Sequence, residues 1–252
     1  MVDRERRTKK SANNLYKFFY YLGVSIWGYC VLYDKRFFPS ALGGEGSLYK
    51  CHVDYPYIPI EYRTGMRAYY LVQLGFYFES IVRMIVWQGL TRDIVEMLLH
   101  EFITIFLIGG SYLVNVWEVG SVILHLHNVS DVLIMLSKVL GETNYAGSSA
   151  CVFVSAMAVW FYTRIVLLPW IAWYSARQPI YMNHMNDIIL PFFGYLLYCL
   201  VMMHIFWFYM FYKIIHHYMT KGEANDMIEA DAYGKDDVEN KDDNYNKVAD
   251  NA

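Results

Sequence analysis

Charge is scarce in this sequence: Asp, Glu, Lys and Arg make up 18% of 252 residues, against 56% hydrophobic and 18% aromatic. Most of that charge sits at the two ends or in short connections, leaving several stretches of about 20 residues with few ionisable groups. Such a chain is no nucleic-acid binder, and a mean hydropathy of +0.21 argues against a cytosolic enzyme, because the surplus apolar surface needs lipid. Cysteine is sparse too. Cys30, Cys51, Cys151 and Cys199 are scattered and make no CxxC pair, so they spell neither a disulfide framework nor a thiolate metal site. A cleavable signal peptide is missing, since the first apolar run, Leu15 to Tyr33, has no small-residue cleavage site and reads as a retained helix. Period-two alternation is absent, which favours helices over a β-barrel for the spans.

What is there is a series of six apolar runs: Leu15–Tyr33, Ala68–Leu90, Ile94–Val114, Val119–Leu140, Cys151–Trp173 and Ile188–Ile215. At 1.5 Å per residue each is long enough for a hydrocarbon layer of roughly 30 Å, so the expected class is an all-α, six-span integral membrane protein. An even number of spans places both ends on one side. That side collects Arg4, Arg6, Arg7, Lys9, Lys10, Arg92, Lys138, Lys213 and Lys221, the other Lys35, Arg36, Lys50, Arg63, Arg67 and Arg177. The excess of basic residues makes the first side cytosolic. The net charge of −3 hides two unlike termini: Met1–Lys10 holds five Lys/Arg against two acids, and Lys221–Ala252 ten acids against four Lys. Residues 1–10 thus read as a basic cytosolic segment and 219–252 as an acidic, disordered cytosolic tail, with the domain at 11–218. Asp34–Arg67 is the one long connection, and its prolines and glycines predict turns outside the bilayer.

Several residues do not belong in lipid. Gln73, Glu79 and Arg83 interrupt the second run, His100 and Glu101 the third, His125, His127, Asn128 and Asp131 the fourth, Arg164 the fifth and His204 the sixth. An ionisable group at membrane depth costs several kcal/mol unless it pairs or faces water, so such a set marks function by default. Glu79 and Arg83, spaced i,i+4 with the acid first, read as an intrahelical ion pair. Arg164 reads as snorkelling or pinning a neighbouring helix, His204 as a packing histidine, and the abundant Met and Tyr as lining and interfacial belt. The third and fourth runs differ, because the short link near Asn115–Glu118 makes them an antiparallel hairpin. His100 lies about 15 residues before that link and His127 about 11 after it, so their depths differ by only a few Å. His100 with Thr104, and His127 with Asp131, share helix faces; Glu101 and Asn128 stand about 100° round. Two imidazoles, two carboxylates and a hydroxyl then face one site, and spacing alone does not choose between a metal and acyl chemistry.

At this hairpin LLHEFITIFLIGGSYLVNVWEVGSVILHLHNVSDVLIMLSKVL resembles the Lag1 motif of the ceramide synthases, within the wider TLC-domain group. The family pattern runs HHxxT, an asparagine, a glycine and LHDxSDxxLExxK. His100, Thr104, Asn115, Gly120, Leu126, His127, Ser130, Asp131 and Lys138 match it. LYDKRFFP, YYLVQLGFY, TRIVLLPW and HIFWFY are also similar to the family, so the likeness covers about residues 9–218. The family's usual extra N-terminal helix has no counterpart, which implies a short form or an incomplete start.

The resemblance implies six helices around a central lipid cavity in the endoplasmic reticulum membrane. It also implies an acyltransferase joining a fatty acyl-CoA, as co-substrate, to the amine of a sphingoid base, with no metal or other cofactor. On this reading His100 accepts the acyl group or acts as base, His127 is the second acid/base, and Asp131 orients it and holds its charge; Thr104, Ser130, Lys138 and Arg164 contact substrate. Expected partners are membrane lipid and a second TLC protein, as a homo- or hetero-oligomer. Three departures stand against the matches: Glu101 replaces the second histidine of the pair, Asn128 the first aspartate and Met135 the glutamate. Asn128 cannot act as a base. Glu101 and Asn128 stay in the candidate catalytic set beside two alternatives: a catalytically degenerate subunit regulating a companion synthase, and lipid sensing or transport. The family's chain-length segment falls near Ser175–Asp187.

Overall fold

The structure is a computed structural model that describes residues 2–51, 53, 55, 60–88, 94–141, 146–181 and 188–221. The acidic tail from residue 222 and residues 182–187 of the chain-length segment lie outside these residues. Six helical rods make up the bundle: α1 (Val2–Leu32), α2 (Ile60–Arg83, prolonged by a π turn, Met84–Gln88), α3 (Ile94–Leu113), α4 (Trp117–Gly141), a rod of α5 (Ala146–Trp160), a π segment (Phe161–Leu167) and α6 (Leu168–Tyr181), and α7 (Ile189–Lys221). Among the described residues, four stretches are long and apolar enough to cross a membrane by length and composition: Ile94–Leu113, Trp117–Gly141, Ser148–Arg177 and Ile189–His217.

The first two helices differ from the sequence expectation in extent. α1 begins at Val2 rather than Leu15, with no break between the basic segment 1–10 and the domain, and α2 begins at Ile60 rather than Ala68. Hydropathy registers only the lipid-facing part of a helix, whereas hydrogen bonding continues into polar sequence. Several polar residues of these helices pair within α2 or across the α1–α2 contact. Arg83 bonds Glu79 within α2, as the i,i+4 spacing predicts, reaches Asn13 of α1, and lies 4.6 Å from the ring centre of Tyr16. The Tyr20 hydroxyl donates to Gln73 Oε1 at 3.2 Å. The Tyr20 and Phe76 rings stack at 3.6 Å beside that bond.

The central helix is α4, which packs against α1, α2, α3, α5 and α6. Its burial follows from composition: Ser121, His125, His127, Asn128, Ser130 and Ser137 are all buried, and small or polar side chains let membrane helices approach and bond where lipid offers no partner. Two motif positions at its start have mechanical reasons. Asn115, in the link after α3, adopts φ 61°, a left-handed conformation that asparagine tolerates better than most residues. Gly120 lies beneath Tyr70, whose hydroxyl occupies the space a Cβ would take, and that hydroxyl is 3.4 Å from Ser111 Oγ and donates to the Trp117 carbonyl at 3.3 Å.

The segment after α1 folds into short turns at Ser40–Leu42 and Leu48–Lys50 rather than a span, as its prolines and glycines predict. Phe37, Phe38, Leu48 and Cys51 are buried beneath it, and Arg36 comes within 3.9 Å of the buried Glu118 at the start of α4. Burial holds the Cys51 thiol well above its ordinary pKa, so it stays protonated at neutral pH.

Gly120→Ala is expected to cost about 1–3 kcal/mol, because the added methyl overpacks a filled site. Thermal unfolding in detergent checks this: Gly120→Ala combined with Tyr70→Phe should lose less than the sum of the single changes, since removing the hydroxyl makes room for the methyl.

Candidate active site

Three helices each bring one imidazole to a common point in the bundle. His127 of α4 and His204 of α7 face each other with their Nε2 atoms 3.1 Å apart. The His100 ring of α3 lies 5.6 Å from His204 and 4.9 Å from Trp207, centre to centre. The depth match computed along the hairpin is met, with His204 the side chain between the two predicted histidines.

Arg164 organises the cluster. Thr163 and Arg164 are both buried in the π segment between α5 and α6, where the Leu168 N–H bonds the Thr163 carbonyl, one residue further back than in an α-helix. Such turns recur at functional sites because they displace side chains from the regular helical positions. The Arg164 guanidinium donates to Asp131 Oδ1 at 2.6 Å, Ser130 Oγ at 2.9 Å and the His127 carbonyl at 3.1 Å, and comes within 3.4 Å of His204 Nδ1. Its fourth side is closed by the Trp160 ring, 3.9 Å away. Arg164 therefore pins α4 to the α5–α6 rod rather than snorkelling to the surface.

The tautomers follow from these partners. A carbonyl only accepts, so His127 Nδ1, 2.8 Å from the Ile123 carbonyl, carries hydrogen. Its Nε2 is then a lone pair, and His204 Nε2 must be the donor between the two rings. His204 Nδ1 is left as an acceptor, facing the Arg164 N–H. One directed chain runs from Arg164 through His204 and His127 to the Ile123 carbonyl. Among the three clustered imidazoles, His100 is the one with an uncommitted nitrogen, because its buried Nδ1 has no hydrogen-bond partner among the described residues.

Other predicted site residues are placed differently from the expectation. Asp131 does not orient His127, whose two nitrogens are taken by Ile123 and His204; its carboxylate is drawn one turn further along α4 to Arg164. Glu101 Oε1 accepts from Ser80 at 2.8 Å, and Asn128 Nδ2 donates to the Tyr69 hydroxyl at 2.9 Å. Both partners belong to α2, so these two residues, standing about 100° from the histidine faces, brace α3 and α4 against α2. Thr104 is buried with Oγ1 unpartnered, Ser130 relays from Arg164 to the His127 carbonyl, and Lys138 is exposed two turns beyond Asp131. Sequence reading passed over His204 because a lone histidine on an apolar helix has no periodic partner. The available signal was its counterpart: Arg164 and His204 are lone polar residues in two different spans, and each needs the other.

A narrow, partly open cavity extends from His127 and Thr104 toward the α3–α4 link. Leu107, Ile108, Ile123, Leu190, Leu197 and Leu200 give it an apolar lining. One imidazole and one hydroxyl, His127 and Thr104, thus stand at one end of an apolar chamber. The TLC-domain profile matches residues 10–213. The chain belongs to the TLC-domain family. It is 30% identical to ceramide synthase 4 of Bos taurus over 236 residues, 91% of this chain and 56% of the bovine protein. Ceramide synthase hyl-2 of Caenorhabditis elegans is 29% identical over 90% of this chain and 70% of its own length, and ceramide synthase 1 LOH3 of Arabidopsis thaliana 27% over 94% and 79%. This TLC domain spans little more than half the length of the mammalian relatives it matches.

Arg164→Met leaves the partly buried Asp131 without its counter-charge and is expected to destabilise the protein by roughly 3 kcal/mol. Thermal unfolding is the check, and adding Asp131→Asn to the same chain should recover part of the loss.

Proposed function

We propose that this protein is a ceramide synthase-like N-acyltransferase of the endoplasmic reticulum membrane, joining a fatty acyl-CoA to the amine of a sphingoid base. The observation that carries this is the uncommitted His100 imidazole beside a held His127–His204 pair whose His127 lines an apolar cavity, in a chain similar over most of its length to proteins named ceramide synthase. With both termini cytosolic, the Lys138 end of α4 faces the cytosol. Acyl-CoA then enters from that side, and its hydrocarbon passes the histidines into the chamber.

In the first half-reaction the unprotonated Nδ1 of His100 attacks the thioester carbonyl, the C–S bond breaks, and an acyl–imidazolium and the CoA thiolate form. In the second, the neutral amine attacks the acyl carbon, the C–N bond to His100 breaks to return the neutral imidazole, and the proton shed by the new amide nitrogen is carried off by the CoA thiolate. The amine arrives as ammonium and must lose a proton, which the His127–His204 pair takes up. The longest bond of the chain, Arg164 to His204 at 3.4 Å, opens to admit it. Asp131 acts through Arg164, offsetting that fixed charge so that a second positive charge nearby is tolerated. Glu101 and Asn128 have no proton-transfer role here; they hold α3 and α4 in place.

His100→Ala is expected to lower N-acylation by about 10²–10⁴ while leaving abundance and thermal stability near wild type. The measurement is amide formation by the purified full chain from acyl-CoA and sphingoid base. A wild type inert by itself, with a companion synthase whose activity falls when this chain is deleted, would replace this reading with that of a degenerate subunit.

A further inference from the structure

A second apolar space lies on the outer side of α3, and it shares one wall with the cavity. Successive residues of α3 point to opposite sides of the α3–α7 seam: Leu107, Ile108 and Ser111 line the chamber, whereas Ile105, Phe106 and Gly109 line a groove open to the bilayer. Among the described residues Phe193 of α7 is the one side chain that lines both. It is 8% exposed, and its ring lies over Gly110, where a Cβ would stand 2.9 Å from Cζ and 3.1 Å from Cε1. At Gly109 and Gly110 the helix carries no side chain, so the partition there is a single aromatic ring.

We propose that Phe193, seated on Gly110, sets the longest acyl chain this protein accepts: short chains end inside the chamber, and longer ones must displace the ring and run out into the groove. The occupant of the groove is the distal end of the acyl chain whose carbonyl is at His100. Gly110 is ten residues beyond His100 on α3, about 15 Å along the axis, so the partition meets the tail and not the reacting head. The groove is fit to receive a tail and nothing polar, being formed by Phe106, Leu113, Ile189 and Phe192 with the two glycines. Phe193 makes no ring contact with His100, His127 or His204, and it acts on chain length alone. This inference rests on the N-acylation reading, and two independent measurements separate their failures.

In the first, the full-length protein in lipid nanodiscs receives a sphingoid base and an equimolar series of saturated acyl-CoAs, and products are resolved by mass. Phe193→Ala should raise the share of the longest chains about tenfold, the lower range of what one methylene decides in an apolar pocket. Gly110→Ala, which pushes the ring toward the chamber, should move products to shorter chains. General loosening of the bundle lowers all chain lengths alike in both variants, and that outcome would overturn the proposal. In the second, acyl-CoAs of two lengths carry a diazirine at the terminal carbon, and the labelled peptides are mapped. The long probe should mark Leu113 and Ile189, the short one Ile108 and Leu197. Label confined to the chamber for both probes overturns the proposal even where amide forms. Groove label by the long probe without any amide product upholds it and rejects the N-acylation reading, and no label at either place rejects both.

Discussion

A guanidinium buried among membrane helices is the constraint on which the rest of this structure turns. Taking Arg164 out of water is tolerable only if its donors are met and its charge is balanced. Asp131, Ser130, the His127 carbonyl, His204 and the Trp160 face do this from α4, α5 and α7. Because Asp131, Ser130, the His127 carbonyl and His204 lie on α4 and α7, the depth and rotation of those helices against the α5–α6 rod are set by one side chain. The π segment that carries it is the local distortion that turns Arg164 inward.

The same guanidinium decides which imidazole is free. Donation from Arg164 fixes the sense of the His204–His127 contact, and the Ile123 carbonyl terminates the chain, so two of the three rings have their nitrogens assigned. His100 keeps an open nitrogen beside His204, whose partner His127 lines the apolar chamber. On the opposite side of α3 and α4, α2 supplies a polar brace through Tyr69 and Ser80, which hold Asn128 and Glu101. The two positions at which the family pattern carries a histidine and an aspartate thus brace α3 and α4 against α2 here, and in the proposed reaction the chemistry falls to His100, His127 and His204.

Much of the architecture was legible in the sequence because lipid makes hydropathy decisive. The six rods, the short turn before α4, the shared depth of His100 and His127 and the Glu79–Arg83 pair all follow from period, spacing and charge order. Three features were hidden. The polar beginnings of α1 and α2 lie outside the apolar runs, where hydropathy is silent. The π segment leaves no mark in composition, so the rotation that aims Arg164 inward is a tertiary fact. The partner of Asp131 was misassigned because i,i+4 spacing places it on the His127 face, but a cation from another helix outcompetes a neutral ring for a carboxylate in low dielectric.

The central claim is that His100 carries the open nitrogen that receives the acyl group. It is tested most directly by incubating the purified protein with a fatty acyl-CoA in the absence of any amine, quenching rapidly and mapping the added mass by peptide mass spectrometry. The expected result is one acyl group per chain on the peptide holding His100, discharged when a sphingoid base is added. Free CoA release without an adduct, or an adduct on His127 or His204, would contradict the account.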